Sequence, residues 1–312
     1  MALDILRDAA RVELWTDDAV MPRHRLLEAV SPAAGLYCML TDEVDRELLD
    51  AAPNLRVVST MAVGVDNVDL DACTKRRIPV GHTPDVLTET TADTAFALLL
   101  AAARRVVEGV DHVRDGKWLR WEPGLLWGAD VHSSVLGVVG FGRIGAAVAR
   151  RGLGFGMRVV TATRSGALRA GAPAGVEVVT LAELLTMSDH VVLAVPLSDE
   201  TRHLIDDSAL RTMKPTATLV NIARGGIVDH DALLVALREG TIAGAGLDVT
   251  DPEPIPSDHP LVALPNCVVI PHLGSSSAAT RMAMAELAAR NLVAGLEGRR
   301  LEACANPEVY GR

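Results

Sequence analysis

A glycine-rich turn between an apolar strand and a helix is the feature that most constrains this chain. Residues 135–139 are apolar and rich in β-branched side chains, and the run Gly-Phe-Gly-Arg-Ile-Gly follows at once. The residues after it, from Ala146 to Arg151, are typical of a helix. A strand, a GxGxxG turn and a helix in this order predict a dinucleotide-binding unit whose helix N-terminus faces the phosphates. The predicted cofactor contacts here are Gly140, Gly142, Arg143, Ile144 and Gly145.

The end of the second predicted strand, residues 157–163, indicates which dinucleotide is bound. An NAD site normally has Asp or Glu there, to accept hydrogen bonds from the ribose hydroxyls. This chain has Thr163, Arg164 and Ser165 instead, and no acidic residue lies between Asp130 and Glu177. A 2′-phosphate needs a cation and hydrogen-bond donors, so we predict NADP as the cofactor. The alternative is that Arg164 is a solvated loop arginine.

Composition limits the partners and the cellular compartment. The chain has 312 residues, 49% of them hydrophobic, and a net charge of −10. This length is enough for two domains, and the acidic balance disfavours nucleic acid and anionic membranes. An anionic substrate must therefore be bound by local positive groups. No leader or membrane-spanning segment is visible, and the four cysteines form no CxxC pair, so we expect a cytoplasmic protein without a metal site.

Strands that alternate with helices predict an α/β fold with a doubly wound parallel sheet. A long helix is predicted from Thr88 to about Val110, and a closing helix over residues 276–297. Further short strands are predicted at residues 12–15, 35–39, 55–60 and 78–80 in the N-terminal part. That part begins with a helix where a strand is usual, so its first strand is predicted to be missing, with an exposed sheet edge near residues 36–39.

Three of the four tryptophans lie in one short segment before the glycine-rich turn. They are Trp118, Trp121 and Trp127, in a chain with only 3% aromatic residues. Tryptophan is favoured at interfaces, so a subunit contact is one interpretation of this segment. The other is that one or two of these side chains pack in the core.

Three residues follow three predicted strands, at the edge where parallel sheets bind ligands. They are Arg224, Glu253 and His272. A guanidinium binds a carboxylate bidentately and polarises a neighbouring ketone, and an imidazolium protonates the alkoxide that forms as hydride arrives. A carboxylate behind the imidazole orients it. Singly, each residue is more often a surface charge or a packed histidine. Together they predict the reduction of a 2-oxo acid.

Six motifs distributed over nearly the whole chain carry a family resemblance. The sequence resembles the D-isomer-specific 2-hydroxyacid dehydrogenases, and within them most closely the glyoxylate/hydroxypyruvate reductases. The matching stretches are residues 59–66 (STMAVGVD), 81–88 (GHTPDVLT), 140–145 (GFGRIG), 221–225 (NIARG), 245–250 (AGLDVT) and 271–275 (PHLGS). His82 departs from the family pattern, and no role is predicted for it.

The resemblance implies a set of site residues. It makes Arg224, Glu253 and His272 the catalytic set, with His272 as the general acid. It places the amides of Val63 and Gly64 at the substrate carboxylate. Substrate contacts also include Arg224, His272 and Ser275, and cofactor contacts include Pro196, Ile222, Asp248 and Gly274.

The resemblance also implies the domain organisation and the reaction. A Rossmann domain (residues 88–274) is inserted in a smaller flavodoxin-like substrate domain (residues 1–87 and 275–312), and the protein is expected to be a homodimer. The tryptophan content of the Trp118–Trp127 loop, and not the resemblance, places that loop at the predicted interface. The implied reaction is NADPH-dependent reduction of glyoxylate or hydroxypyruvate to the D-2-hydroxy acid. A dehydrogenase of another 2-hydroxy acid and a non-catalytic, nucleotide-sensing corepressor-like relative are the alternatives.

Overall fold

The computed structural model describes residues 1–169 and 171–311, which divide into two compact units. Unit 1 comprises residues 1–87 and 277–311, and unit 2 comprises the described residues between 88 and 276. In chain order the helices are α1 (Ala2–Ala9), α2 (Arg23–Val30), α3 (Arg46–Ala51), α4 (Leu70–Lys75), α5 (Thr88–Ala103), α6 (Val106–Arg114), α7 (Arg143–Gly154), α8 (Leu181–Met187), α9 (Asp207–Thr212), α10 (His230–Glu239) and α11 (Ala278–Leu296). The strands are β1 (Gly35–Cys38), β2 (Val57–Thr60), β3 (Val80–Gly81), β4 (Val135–Val139), β5 (Arg158–Ala162), β6 (Val176–Val178), β7 (His190–Leu193), β8 (Thr218–Asn221), β9 (Gly244–Leu247) and β10 (Cys267–Val269).

Unit 1 is built around a parallel sheet with strand order β1-β2-β3 in the described chain. The long helix α11 packs against β1, β2 and α1. Two hydrogen bonds fix this packing: the hydroxyl of Ser59 donates to the carbonyl of Ala288 at 2.8 Å, and that of Tyr37 donates to the carbonyl of Ala285 at 3.3 Å. β1 lies at one edge of this sheet, where the sequence predicted an exposed edge. The predicted loss of a first strand stays a prediction.

Unit 2 contains a parallel sheet of order β10-β9-β8-β7-β4-β5-β6. The chain runs outward from β4 through β5 to β6, then returns to β7 on the other side of β4. The strand order therefore reverses between β4 and β7, the place where open α/β sheets bind ligands beyond their carboxyl ends. The predicted α/β class with a doubly wound parallel sheet is confirmed. The described helices include none that is long and apolar enough to cross a bilayer.

Helix starts follow the local sequence closely. Asp45, Asp69, Asp206 and Asp229 each accept a hydrogen bond from the amide three residues later, at the start of a helix. Thr180 forms a reciprocal capping box with Glu183 at the start of α8. Such caps satisfy amides that have no partner within the helix.

The predicted long helix from Thr88 is wrong in its extent. It ends at Ala103, because the amide of Ala129 donates to the carbonyl of Ala103 at 2.9 Å and a crossing segment occupies the end of the helix. Arg105 has φ +54, and the separate helix α6 begins after it. The break could not be read locally, because it depends on a segment more than twenty residues away.

The predicted strand at residues 12–15 is also wrong. This segment forms no strand, and the indole of Trp15 donates to the carbonyl of Ala19 at 2.8 Å, which closes a local turn. Helix α4, in contrast, was not predicted.

Gly145 allows a test of how tightly α7 packs on the sheet. A Cβ at this position would clash with the backbone carbonyl oxygen of Gly140, which cannot move as a side chain can. We expect Gly145→Ala to lower the free energy of unfolding by about 3 kcal/mol. Urea unfolding followed by circular dichroism measures the change.

Gly154 in the same helix is the matched control, because a Cβ there would meet no atom within 4 Å. Gly154→Ala should leave stability within about 1 kcal/mol of the unmodified protein. Equal effects of the two substitutions would contradict the packing described for Gly145.

Candidate active site

Three chemically active side chains follow three adjacent strands. Arg224 comes after β8, Glu253 after β9 and His272 after β10, and these strands are neighbours in the sheet. Because all three strands are parallel, their carboxyl ends meet at one edge. The structure therefore brings together the three residues that the sequence predicted as a set.

A short hydrogen bond joins two of them. The Nδ1 atom of His272 lies 2.6 Å from Oε1 of Glu253. Burial by itself raises the pKa of Glu253, but the hydrogen bond and charge of His272, the amide of Thr250 and the charge of Arg224 outweigh it and lower that pKa. Glu253 is therefore a carboxylate at neutral pH. With Nδ1–H donated to the carboxylate, the second ring nitrogen of His272 is the position for a transferable proton.

The Arg224 segment is held by a buried amide side chain. Asn221, at the end of β8, donates from Nδ2 to the carbonyl of Arg224 at 2.8 Å and accepts from the amide of Ala223 at 3.1 Å. Gly225, which follows Arg224 in the chain, lies directly against the backbone of Thr250, where a Cβ would clash. Glycine is thus required for the Arg224 segment to contact the loop that carries Glu253. Sequence reasoning missed Asn221, although its place at a strand end is the signal that could have found it.

Asp248 braces the loop of His272. Its backbone carbonyl accepts from the amide of His272 at 2.9 Å, and its carboxylate accepts from the amides of Leu273 at 2.5 Å and Gly274 at 2.9 Å. Burial raises the pKa of Asp248, while these amides and the charge of His272 act against that rise. His272 has φ +52, an uncommon conformation for a residue other than glycine, and this set of bonds maintains it. The predicted contacts of Asp248 and Gly274 with the cofactor stay predictions.

The glycine-rich turn has the shape of a phosphate cradle. Gly140 has φ +92, and a Cβ on it would lie 2.7 Å from the carbonyl oxygen of Ala194. Gly142 caps α7 and faces open space, so an anion can approach the amides at the start of the helix. Arg143 and Ile144 form the first turn of that helix. These features fit a dinucleotide pyrophosphate.

The other predicted cofactor residues lie at neighbouring strand ends. Pro196 follows β7, and Ile222 follows β8 and is buried. Both strands lie on the same side of β4. Ser275 is buried next to Gly274.

A cavity of about 310 Å³ lies at the end of β5. It is lined by Phe141, Thr163, Arg164, Ser165, Ala167, Leu168 and Arg169. Arg164 is 91% exposed, and its Nη1 atom lies 3.4 Å from Oε2 of Glu200. Thr163 shapes the turn, because its hydroxyl donates to the carbonyl of Ala167 at 3.1 Å. Sequence reasoning missed Arg169, which lies too far beyond the strand for its position to be read.

In unit 1, the predicted carboxylate-binding amides lie in the loop after β2. The amide of Thr83 donates to the carbonyl of Ala62 at 2.7 Å, and Nδ1 of His82 lies 3.1 Å from the carbonyl oxygen of Val63. These contacts hold the carbonyl side of the loop. The structure thus gives a partner to His82, for which the sequence predicted no role.

The tryptophan segment is exposed within unit 2. Trp118, Trp121 and Trp127 are 59%, 79% and 75% exposed, and the neighbouring Leu119 is 88% exposed. The alternative that one or two of these tryptophans pack in the core is therefore wrong.

Comparison with known proteins agrees with this geometry. The family model for the NAD binding domain of D-isomer specific 2-hydroxyacid dehydrogenases matches residues 96–274. The chain belongs to this family. It is 50% identical over 308 residues to a glyoxylate reductase of Korarchaeum cryptofilum. This match covers 98% of this chain and 93% of that relative. The chain is therefore a 2-hydroxyacid dehydrogenase with a nicotinamide-cofactor domain.

Solved structures of similar proteins superpose closely on this chain. A protein of Thermus thermophilus superposes with a TM-score of 0.91 at 50% identity, over 97% of this chain and 96% of that one. An NADPH-dependent glyoxylate/hydroxypyruvate reductase of Sinorhizobium meliloti, in complex with NADP and malonate, superposes with a TM-score of 0.82 at 35% identity. That match covers 89% of this chain and 86% of the other.

Proposed function

We propose that this protein reduces a small 2-oxo acid, glyoxylate or hydroxypyruvate, to the D-2-hydroxy acid with NADPH. The observation that carries the proposal is the 2.6 Å contact between His272 and Glu253, at the sheet edge that also carries Arg224. The names of the similar relatives support the same substrate class. The site contains a cation for a carboxylate and a proton donor for an alkoxide, which this reduction requires.

Each catalytic residue has a distinct task in the proposed reaction. Arg224 binds the substrate carboxylate and polarises the ketone. Because the chain has a net charge of −10, a local cation is needed to attract this anionic substrate. The amides of Val63 and Gly64, and Ser275, are proposed as further substrate contacts. His272 protonates the developing alkoxide, and the charged Glu253 stabilises and orients the imidazolium. NADPH, when bound, supplies the hydride.

The cavity after β5 supports a preference for NADPH. Arg164, Arg169, Ser165 and Thr163 line it, and no carboxylate stands at its strand end to accept from ribose hydroxyls. Two guanidiniums and two hydroxyls match the charge and acceptors of a 2′-phosphate. Glu200 is the present partner of Arg164, and we propose that the phosphate replaces it.

We also propose a homodimer formed through the Trp118–Trp127 loop. That loop and helix α6 both expose apolar side chains, which on the helix are Val106, Val107, Val110 and Val113. Exposed apolar patches of this kind mark interaction sites in soluble proteins. Tryptophan is also the side chain that most often carries interface energy.

We also propose that the protein is cytoplasmic. Cys38, Cys73 and Cys267 are free and buried, and Cys304 is free. Unpaired cysteines are typical of reducing compartments.

His272 gives the direct test of the chemistry. We expect His272→Asn to lower the turnover of glyoxylate by at least about a hundredfold, because the general acid is lost. NADPH affinity, measured by fluorescence titration, should be unchanged. His24→Asn, at an exposed position of α2, is the control and should keep full activity. Full activity of the His272 variant would contradict the assignment of His272 as the general acid.

Cofactor preference is tested by saturation kinetics with NADPH and NADH at fixed glyoxylate. We expect kcat/KM to favour NADPH by at least about tenfold, since a charge-assisted arginine–phosphate contact contributes roughly 1.5 to 3 kcal/mol. Thr163→Asp combined with Arg164→Ala should erase or reverse the preference, and Arg169→Ala should weaken it.

Arg158→Ala is the matched control for the cofactor test. Arg158 lies at the opposite end of β5 and pairs with Glu177, so the preference for NADPH should not change. Equal or better efficiency of the unmodified enzyme with NADH would contradict the role of Arg164.

Light scattering tests the proposed dimer. The unmodified protein should have the mass of two chains, and Trp121→Ala combined with Trp127→Ala should shift it toward one chain, because the apolar contact area is removed. Trp15→Ala, in unit 1, controls for the loss of a tryptophan and should leave the mass unchanged. A monomeric unmodified protein would refute the interface.

A further inference from the structure

His230, the first residue of α10, contacts the loop that carries Glu253. The side chain is buried, with the residue 8% exposed, and the catalytic roles proposed above do not use it. Its Nδ1 atom lies 3.0 Å from the carbonyl oxygen of Asp251 and 3.3 Å from the amide nitrogen of the same residue. One ring nitrogen thus faces both backbone groups of a residue two positions before Glu253.

The loop from Thr250 to Glu253 couples the position of Asp251 to that of the Glu253 carboxylate. The amide of Thr250 donates to Oε2 of Glu253 at 3.4 Å, and the hydroxyl of Thr250 donates to the carbonyl of Pro252 at 2.8 Å. These bonds close the loop on itself, so a shift of Asp251 moves the carboxylate. The other oxygen of Glu253 is the one that contacts His272.

The same loop is supported on a second side by the Arg224 segment. Gly225 lies against the backbone of Thr250 and the amide of Asp251, with no room for a Cβ. His230 and Gly225 are five residues apart in one segment that also carries Arg224. The Glu253 loop is therefore held between two points of the segment that presents the substrate-binding arginine.

The imidazole of His230 can hydrogen-bond to the backbone of Asp251, but it is a poor choice of side chain for apolar packing alone. Burial lowers the pKa of His230, and the charge of His259 lowers it further. The hydrogen bond to Asp251 and the charges of Asp251 and Asp229 raise it, but they do not outweigh the effect of burial. The ring is therefore neutral near pH 7. Its Nδ1 atom donates to the carbonyl of Asp251 when it carries the proton, and accepts from the amide of Asp251 when Nε2 carries it. Its Nε2 atom is buried without a partner in the described chain, which costs stability that an apolar side chain would not.

We infer that His230 is a positioning residue for Glu253: its bond to Asp251 sets the loop so that the carboxylate meets His272 in line with Arg224. The inference rests on the proposed reduction for its kinetic consequence, but the geometry it predicts can be measured without substrate.

Two substitutions of His230 separate the bond from the packing. In His230→Asn the side-chain amide lies near the position of Nδ1 and keeps the contact with Asp251. In His230→Gln the amide lies one bond further out, near the position of Nε2, and the contact is lost. We expect the Gln variant to lower kcat for glyoxylate about tenfold, with NADPH affinity unchanged, and the Asn variant to stay within about twofold of the unmodified enzyme.

The substrate-free measurement is proton NMR of the hydrogen bond between His272 and Glu253. A short imidazole–carboxylate bond gives a strongly downfield Nδ1 proton, which Glu253→Gln assigns by removing it. This signal should weaken in His230→Gln and return in His230→Asn. His203→Asn, at a half-exposed position near Asp229, is the control and should leave it unchanged.

The two measurements fail in different ways. If the unmodified protein does not reduce glyoxylate, the proposed function fails, and the NMR signal still tests the role of His230. If the Asn and Gln variants both keep the signal, or both lose it equally, the inference is overturned while the proposed reaction stands.

Discussion

The hydrogen bond between Glu253 and His272 is the interaction on which the rest of the candidate site depends. It joins two loops that leave different strands, so both must be fixed before a 2.6 Å contact can form. Asp248 fixes one of them by accepting three successive amides, from His272 to Gly274. The other is fixed by Gly225 and His230. Burial raises the pKa of Asp248, and the amides of Leu273 and Gly274 and the charge of His272 act against that rise.

Local charges, and not the overall field, explain how an acidic chain can bind anions. The net charge of −10 repels a carboxylate or a phosphate at a distance. At the candidate substrate site, Arg224 lies close enough to Glu253 to lower the pKa of that carboxyl. At the end of β5, Arg164 pairs with Glu200. Breaking this ion pair to admit a phosphate costs little free energy, because both side chains are well exposed and water screens their charges. A phosphate with three acceptor oxygens competes well with one solvated carboxylate.

The sequence predicts the parts of the site that depend on local patterns. The GxGxxG turn, the class of fold and the strand ends that carry Arg224, Glu253 and His272 all follow from residues close to one another in the chain. The break at Arg105 does not, because it depends on the distant amide of Ala129. Neither does the supporting contact of His230, because its partner Asp251 lies 21 residues away in the chain.

In the proposed reaction, the segment from Asn221 to His230 links substrate binding to proton transfer. Asn221 holds the backbone of Arg224, and Gly225 and His230 hold the loop of Glu253. A displacement of this segment therefore moves the cation for the substrate carboxylate and the partner of the imidazole together. Residues that act through one shared backbone segment lose their effects together, so free energies from single substitutions within it should not add. If the proposed reaction holds, the rigidity of this continuous segment, more than any one side chain, sets how well the ketone is aligned with its proton donor.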